Sequence, residues 1–208
     1  MFDIHYHKRN LPHIYIPERT YFITFRLKDS LPYKKICELR SSADFKSIPK
    51  NKTEKYEKDK KFFAKYDELL NKGNYGKCYL KNGKVAEIVV STINYLKEKD
   101  YNLIAYCIMP NHVHLVLSLK QNSRSVDKIM QSIKRYSARE INRLLKRSGN
   151  LWQAESYDHV VRDEDELYRI IKYVLNNPVK AGLVIDWKDW NHTFVSEEYY
   201  YENGFNLM

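Results

Sequence analysis

Cysteine is scarce and unpaired. Cys37, Cys78 and Cys107 lie far apart and are odd in number. They form neither a CxxC metal knuckle nor a disulfide framework, which fits a reducing cytoplasm. Long hydrophobic runs are also missing: no stretch approaches the ~20 apolar residues that span a bilayer. The opening MFDIHYHKRN lacks the apolar core of a signal peptide. A cytoplasmic protein is therefore expected, rather than a secreted or membrane one. There is no internal repeat, and no low-complexity tract beyond the Lys-rich piece Lys50–Lys61. What is present suits a folded chain. Of 208 residues, 43% are hydrophobic and 14% aromatic, which argues against wholesale disorder and is enough for one buried core.

Positive charge is in excess and unevenly placed. The formal net charge is +10. Between Lys120 and Arg147, nine basic residues face only Asp127 and Glu140, while Glu155–Glu202 is net acidic. This polarity suggests a polyanion approaching one side, although a solvated basic helix face would look the same.

Periodicity predicts the elements. Thr20–Leu27 is aromatic and β-branched and reads as a strand. The polar region from about 30 to 84 carries Phe62, Phe63, Tyr66, Leu69 and Leu70 at helical spacing, so it reads as a helical insertion broken at Gly73-Asn74-Tyr75-Gly76. Val85–Lys99 follows as a helix. Tyr101–Met109, apolar on both faces, and the alternating His112–Leu119 read as a hairpin about Met109-Pro110-Asn111. A long amphipathic helix runs from Val126 towards Gly149. Then come a strand over Tyr157–Arg162 and a helix capped by Asp163 with Glu166 three residues on. The order β-α-β-β-α-β-α predicts an α+β fold, an antiparallel sheet with helices packed on one face. Residues 1–185 are expected to form one domain, and 186–208 a C-terminal tail.

Two constellations could carry chemistry. His112 and His114 are at i and i+2 of a strand, so both imidazoles share a face and can converge on one ion. Histidines at this spacing also arise from packing, but here the pair opens a strand directly after a Pro-Asn turn. In the basic helix, Tyr136 and Glu140 are four apart and share a face; a core aromatic and a surface carboxylate would satisfy the same pattern. Lys134, Arg135, Arg139 and Arg143 surround them. Cations and a divalent ion would stabilise a phenolate that is otherwise scarce at neutral pH. Together these groups would make a metal-assisted nucleophilic site. Trp152 could stack on a base or staple a helix end, and Asn111 is a turn residue that could polarise a ligand. A zinc hydrolase is the weaker reading, because no H-E-x-x-H is present.

Four segments carry a likeness to a known family. They are Tyr106–Leu117 with its Pro-Asn-His-Val-His, Gln131–Glu140, Leu151–Asp163, and Tyr173–Leu183 with Asn-Asn-Pro-Val-Lys-Ala-Gly-Leu. Within the insertion, Tyr66-Asp67-Glu68-Leu69-Leu70 joins them. The combination resembles the REP-associated tyrosine transposases, single-tyrosine members of the HUH transposases, from about Tyr21 to Leu183. The resemblance implies a ferredoxin-like or RRM-like HUH endonuclease fold that cleaves and rejoins single-stranded hairpin DNA through a 5′-phosphotyrosine. It implies His112, His114 and Glu140 as holders of Mg²⁺ or Mn²⁺, and Tyr136 as nucleophile, with Tyr157 a second candidate phenol. Lys134, Arg135, Arg139, Arg143 and Trp152 are the expected DNA contacts, in a monomer or homodimer. The alternative is a domesticated relative that binds structured single-stranded DNA or RNA without cutting it.

Overall fold

The computed structural model describes residues 5–8, 12–15 and 18–202; most of the opening MFDIHYHKRN lies outside them. Strands β1 (His5–Lys8) and β2 (Pro12–Tyr15) pair as an antiparallel hairpin. After β3 (Thr20–Arg26) the insertion forms α1 (Tyr33–Ser41), α2 (Ala43–Lys46) and α3 (Lys52–Asn71). Then follow α4 (Gly83–Lys97), β4 (Tyr101–Ile108), β5 (His112–Leu119) and α5 (Val126–Leu144). The chain continues with β6 (Tyr157–Val160), α6 (Glu164–Leu175), α7 (Asn177–Lys180), β7 (Thr193–Val195) and α8 (Glu197–Glu202).

The main sheet is antiparallel, in the order β6-β3-β5-β4-β7. Its first face carries Tyr21, Ile23 and Phe25 of β3 and Val113, Leu115 and Leu117 of β5. These pack against Val89 and Ile93 of α4 and Ile129, Ile133 and Ile141 of α5. Its second face carries Phe22, Ala105, Cys107 and Val116, packed against Phe63 of α3 and Leu167, Ile171 and Val174 of α6. Helices thus cover both faces, where one was expected. The reason is that β4 is apolar on both sides and β3 and β5 add Phe22 and Val116 to the second face, and a sheet with apolar residues on both faces needs two covers. The insertion and α6 supply the second.

Local signals set the ends. Asn51 caps α3 by accepting from the Glu54 amide, and Asp163 caps α6 by accepting from the Glu166 amide. Gly76 has φ +67°, and a Cβ there would stand 2.7 Å from the Asp29 carbonyl oxygen, so the turn after α3 needs glycine. Thr193–Val195 pairs with β4 through Ala105↔Val195 and Cys107↔Thr193. The stretch after 185 therefore contributes an edge strand to the sheet.

Candidate active site

Strand alternation puts His112 and His114 on the second face of the sheet, cross-strand from Arg26 and Thr24. Both are 0% exposed, and their Nε2 atoms are 3.1 Å apart. Helix α3 lies over them and lowers Asp67 into the gap. Its Oδ1 is 3.2 Å from His114 Nε2 and 3.6 Å from His112 Nε2. The end of α6 and the start of α7 add one group each. The Tyr173 hydroxyl donates to Asp67 Oδ2, and Asn177 Nδ2 donates to the same oxygen at 3.1 Å. The Tyr173 ring centre is 5.7 Å from that of His114.

The hydrogen bonds fix how the donors present themselves. Asn111 Nδ2 donates to the Leu70 carbonyl at 2.9 Å, so its Oδ1 must face His112 Nδ1, 2.6 Å away. An amide oxygen only accepts, so Nδ1 of His112 carries the proton and Nε2 offers a lone pair to the gap. Burial, helped by His114, pushes the His112 pKa down to about 3, so the ring is neutral. Burial alone would raise the Asp67 pKa, but His114, His112 and Tyr173 hold it well below the usual carboxylate range. Burial and the Asp67 carboxylate push the Tyr173 phenol far up.

Two buried acceptors, Asp67 Oδ1 and Asn177 Oδ1, have no hydrogen-bond partner, a costly state for polar atoms. Among the described residues, Asp67, His112 and His114 form a group whose ligand atoms all lie within 4.8 Å of one another. Two imidazoles and one carboxylate, whose oxygen Oδ1 has no hydrogen-bond partner and lies near both Nε2 atoms, fit a divalent cation.

Other residues expected at the site lie elsewhere. Tyr136 is 50% exposed and lines a groove of about 430 Å³ between α4 and α5, with Lys84, Ile88 and Leu144. Glu140 lines the same groove, its carboxylate paired with Arg139 at 2.9 Å and with Arg143. Neither meets the imidazoles, because α5 packs on the first face of the sheet and the histidines project from the second. Tyr157 is on the second face, but its ring stacks on Phe63 with centroids 4.2 Å apart. Lys134 is not a free cation: its Nζ donates to the carbonyls of Gln153 and Ala154, 3.0 Å each, and burial lowers its pKa to about 8. Trp152 is 6% exposed, donates to Ser137 Oγ and packs edge-on against Phe25, so it staples α5 to the sheet and has no face for a base. Arg135, Arg139 and Arg143 do lie on the exposed side of α5.

Asp67, Tyr173 and Asn177 were not singled out from the sequence. Tyr173 and Asn177 have the same spacing of four that drew attention to Tyr136 and Glu140. Asp67 shares a helix face with Phe63 and Leu70, all three buried.

A family model described as IS200-like transposase matches residues 73–177; Tyr173 and Asn177 end that range and Asp67 precedes it. A putative REP-associated tyrosine transposase of Haemophilus influenzae is 30% identical over 102 residues, covering 45% of this chain and 58% of that protein. The REP-associated tyrosine transposase of Escherichia coli is 24% identical over 94 residues, covering 45% and 54%. The chain thus spans somewhat over half the length of these curated relatives. A solved REP-associated tyrosine transposase bound to a REP hairpin shares the fold, with a TM-score of 0.57 at 16% identity, covering 89% of this chain and 82% of that one. No described helix is long and apolar enough to cross a membrane.

Proposed function

The chain belongs to the IS200-like transposases, and from that membership we propose that it cleaves and rejoins single-stranded DNA beside a hairpin, with Tyr173 as the nucleophile. The observation that carries this reading is the meeting of the Tyr173 hydroxyl with Asp67, in contact with both imidazoles. The hairpin as substrate draws on the relatives, named REP-associated tyrosine transposases and solved in one case with a REP hairpin.

His112, His114 and Asp67 Oδ1 would hold the divalent ion, Mg²⁺ or Mn²⁺. When bound, that ion supplies positive charge that polarises the scissile phosphate. The chain's own groups do the rest. Asp67 Oδ2 takes the phenolic proton it already receives as a hydrogen bond, and Asn177 holds that oxygen in place. The Tyr173 oxygen bonds to phosphorus as the bond to the 3′ oxygen breaks, leaving a 5′-phosphotyrosine and, after protonation, a free 3′-OH. Attack by another 3′-OH reverses the step and joins new ends, so no nucleotide hydrolysis is needed. Arg135, Arg139 and Arg143 would contact the DNA backbone from the other side of the molecule.

A second reading, hairpin binding without cleavage, has one observation in its favour: His112, His114 and Asp67 are at most 2% exposed. One experiment separates the two. End-labelled hairpin DNA with a single-stranded flank is incubated with protein and Mn²⁺, and covalent adduct is scored on a denaturing gel. We expect adduct from the wild type and from Tyr136→Phe, and none from Tyr173→Phe. Tight binding with no wild-type adduct favours the second reading, and adduct from Tyr173→Phe removes Tyr173 as nucleophile.

A further inference from the structure

Tyr173, Asn177 and Lys180 stand at i, i+4 and i+7, a spacing that lines up on one helix face. The break between α6 and α7 preserves that alignment. Asn176 sits at φ −80°, ψ 0°, and the Lys180 amide still donates to the Asn176 carbonyl at 3.0 Å. Along this stripe Tyr173 is half-buried, Asn177 buried and Lys180 exposed. The Lys180 ammonium lies 4.5 Å from the centre of the Tyr173 ring. Among the described residues it forms no ion pair, whereas Arg124, Arg139, Arg143 and Arg162 are each committed to a carboxylate.

We propose that Lys180 is a further catalytic residue, its ammonium contacting a non-bridging oxygen of the phosphate that Tyr173 attacks. A cation over a ring face is held weakly and exchanges readily for an anionic oxygen. A phosphate bonded to the phenol oxygen is wide enough to meet an ammonium held over the same ring. Negative charge grows on the non-bridging oxygens during attack, and a fixed cation at that point favours the transition state over the ground state. The three polar groups near the nucleophile then have separate tasks. Asp67 accepts the proton, Asn177 holds Asp67, and Lys180 takes the phosphate charge. Lys180 lies beyond the segment matched by the family model, which ends at 177.

The proposal rests on Tyr173 as nucleophile, and the test keeps the two claims apart. Adduct formation is measured in single turnover at saturating protein with Mn²⁺ and labelled hairpin DNA, alongside hairpin affinity and thermal melting. Lys180→Ala and Lys180→Gln should slow adduct formation about 100-fold, with affinity within about threefold and melting unchanged. Lys180→Arg should recover most of the rate. A Lys180→Ala rate within twofold of wild type, in a protein that Tyr173→Phe inactivates, overturns Lys180 alone. A loss of affinity that accounts for the whole effect makes Lys180 a binding contact only and likewise overturns it. Adduct surviving Tyr173→Phe, or absent from the wild type, overturns the nucleophile assignment and Lys180 with it.

Discussion

His112 can act as a ligand in only one neutral tautomer, and Asn111 selects it. Its amide is pinned by the Leu70 carbonyl on one side and faces His112 Nδ1 on the other. Asn111→Ala should therefore weaken Mn²⁺ binding by roughly 10–100-fold without removing a ligand. Titration calorimetry checks this, and unchanged affinity would show that the tautomer is set otherwise. At this scale the sequence was half legible. The alternation of β5 brings the imidazoles together as the spacing of two predicts. The spacing of four fits Tyr136–Glu140 and Tyr173–Asn177 equally, because it describes one helix and not what lies across from it. Asp67 was harder still: a carboxylate in a Lys-rich helix reads as solvated, and only its phase with Phe63 and Leu70 marks it as buried.

Helix α3 brings Asp67 to the site, so whatever anchors α3 also positions the carboxylate. One anchor is Glu166 of α6. It is 3% exposed, accepts from the Tyr56 hydroxyl and the Arg162 amide and guanidinium, and faces His159 at 3.2 Å. Burial would raise its pKa, but the bonds from Tyr56 and Arg162 lower it to about 2. A carboxyl depressed in the folded state stabilises fully above its unfolded pKa and stops doing so as pH falls through its folded one. The loss should therefore run from about pH 4.5 down to about pH 2, and amount to about 3 kcal/mol at most. Urea unfolding of wild type and Glu166→Gln at neutral and acid pH checks this; the gap between them should narrow in acid, and a constant gap would refute it. Elements were the most legible level. Amphipathic periods located α4, α5 and α6, and alternation located β5, since these patterns follow from burial on one side. The three-residue β7 carries too short a pattern to be read.

The whole molecule separates two surfaces. The basic side of α5 lies on the first face of the sheet and the acid–imidazole cluster on the second, an arrangement a linear charge count cannot reveal. The βαββαβα order was legible, but the second helical layer was not, because it depends on the insertion folding back over the sheet. Replacing Arg135, Arg139 and Arg143 by Ala should flatten the salt dependence of hairpin binding by about 0.7–0.9 per lost phosphate contact. Cleavage at saturating protein should be left intact. Lys134→Ala should instead lower the melting temperature and leave the salt slope alone, since its ammonium serves the Gln153 and Ala154 carbonyls. Filter binding across a salt series distinguishes the two. The seal over His112, His114 and Asp67 has a kinetic corollary. Ions cannot reach these donors by collision alone, so uptake must wait for the protein to breathe. In stopped-flow mixing, the observed rate should level off as Mn²⁺ rises, at a ceiling equal to the opening rate of α3. Tyr56→Phe, which unties that helix from Glu166, should lift the ceiling, whereas a rate climbing linearly without limit would mean that a standing channel already exists.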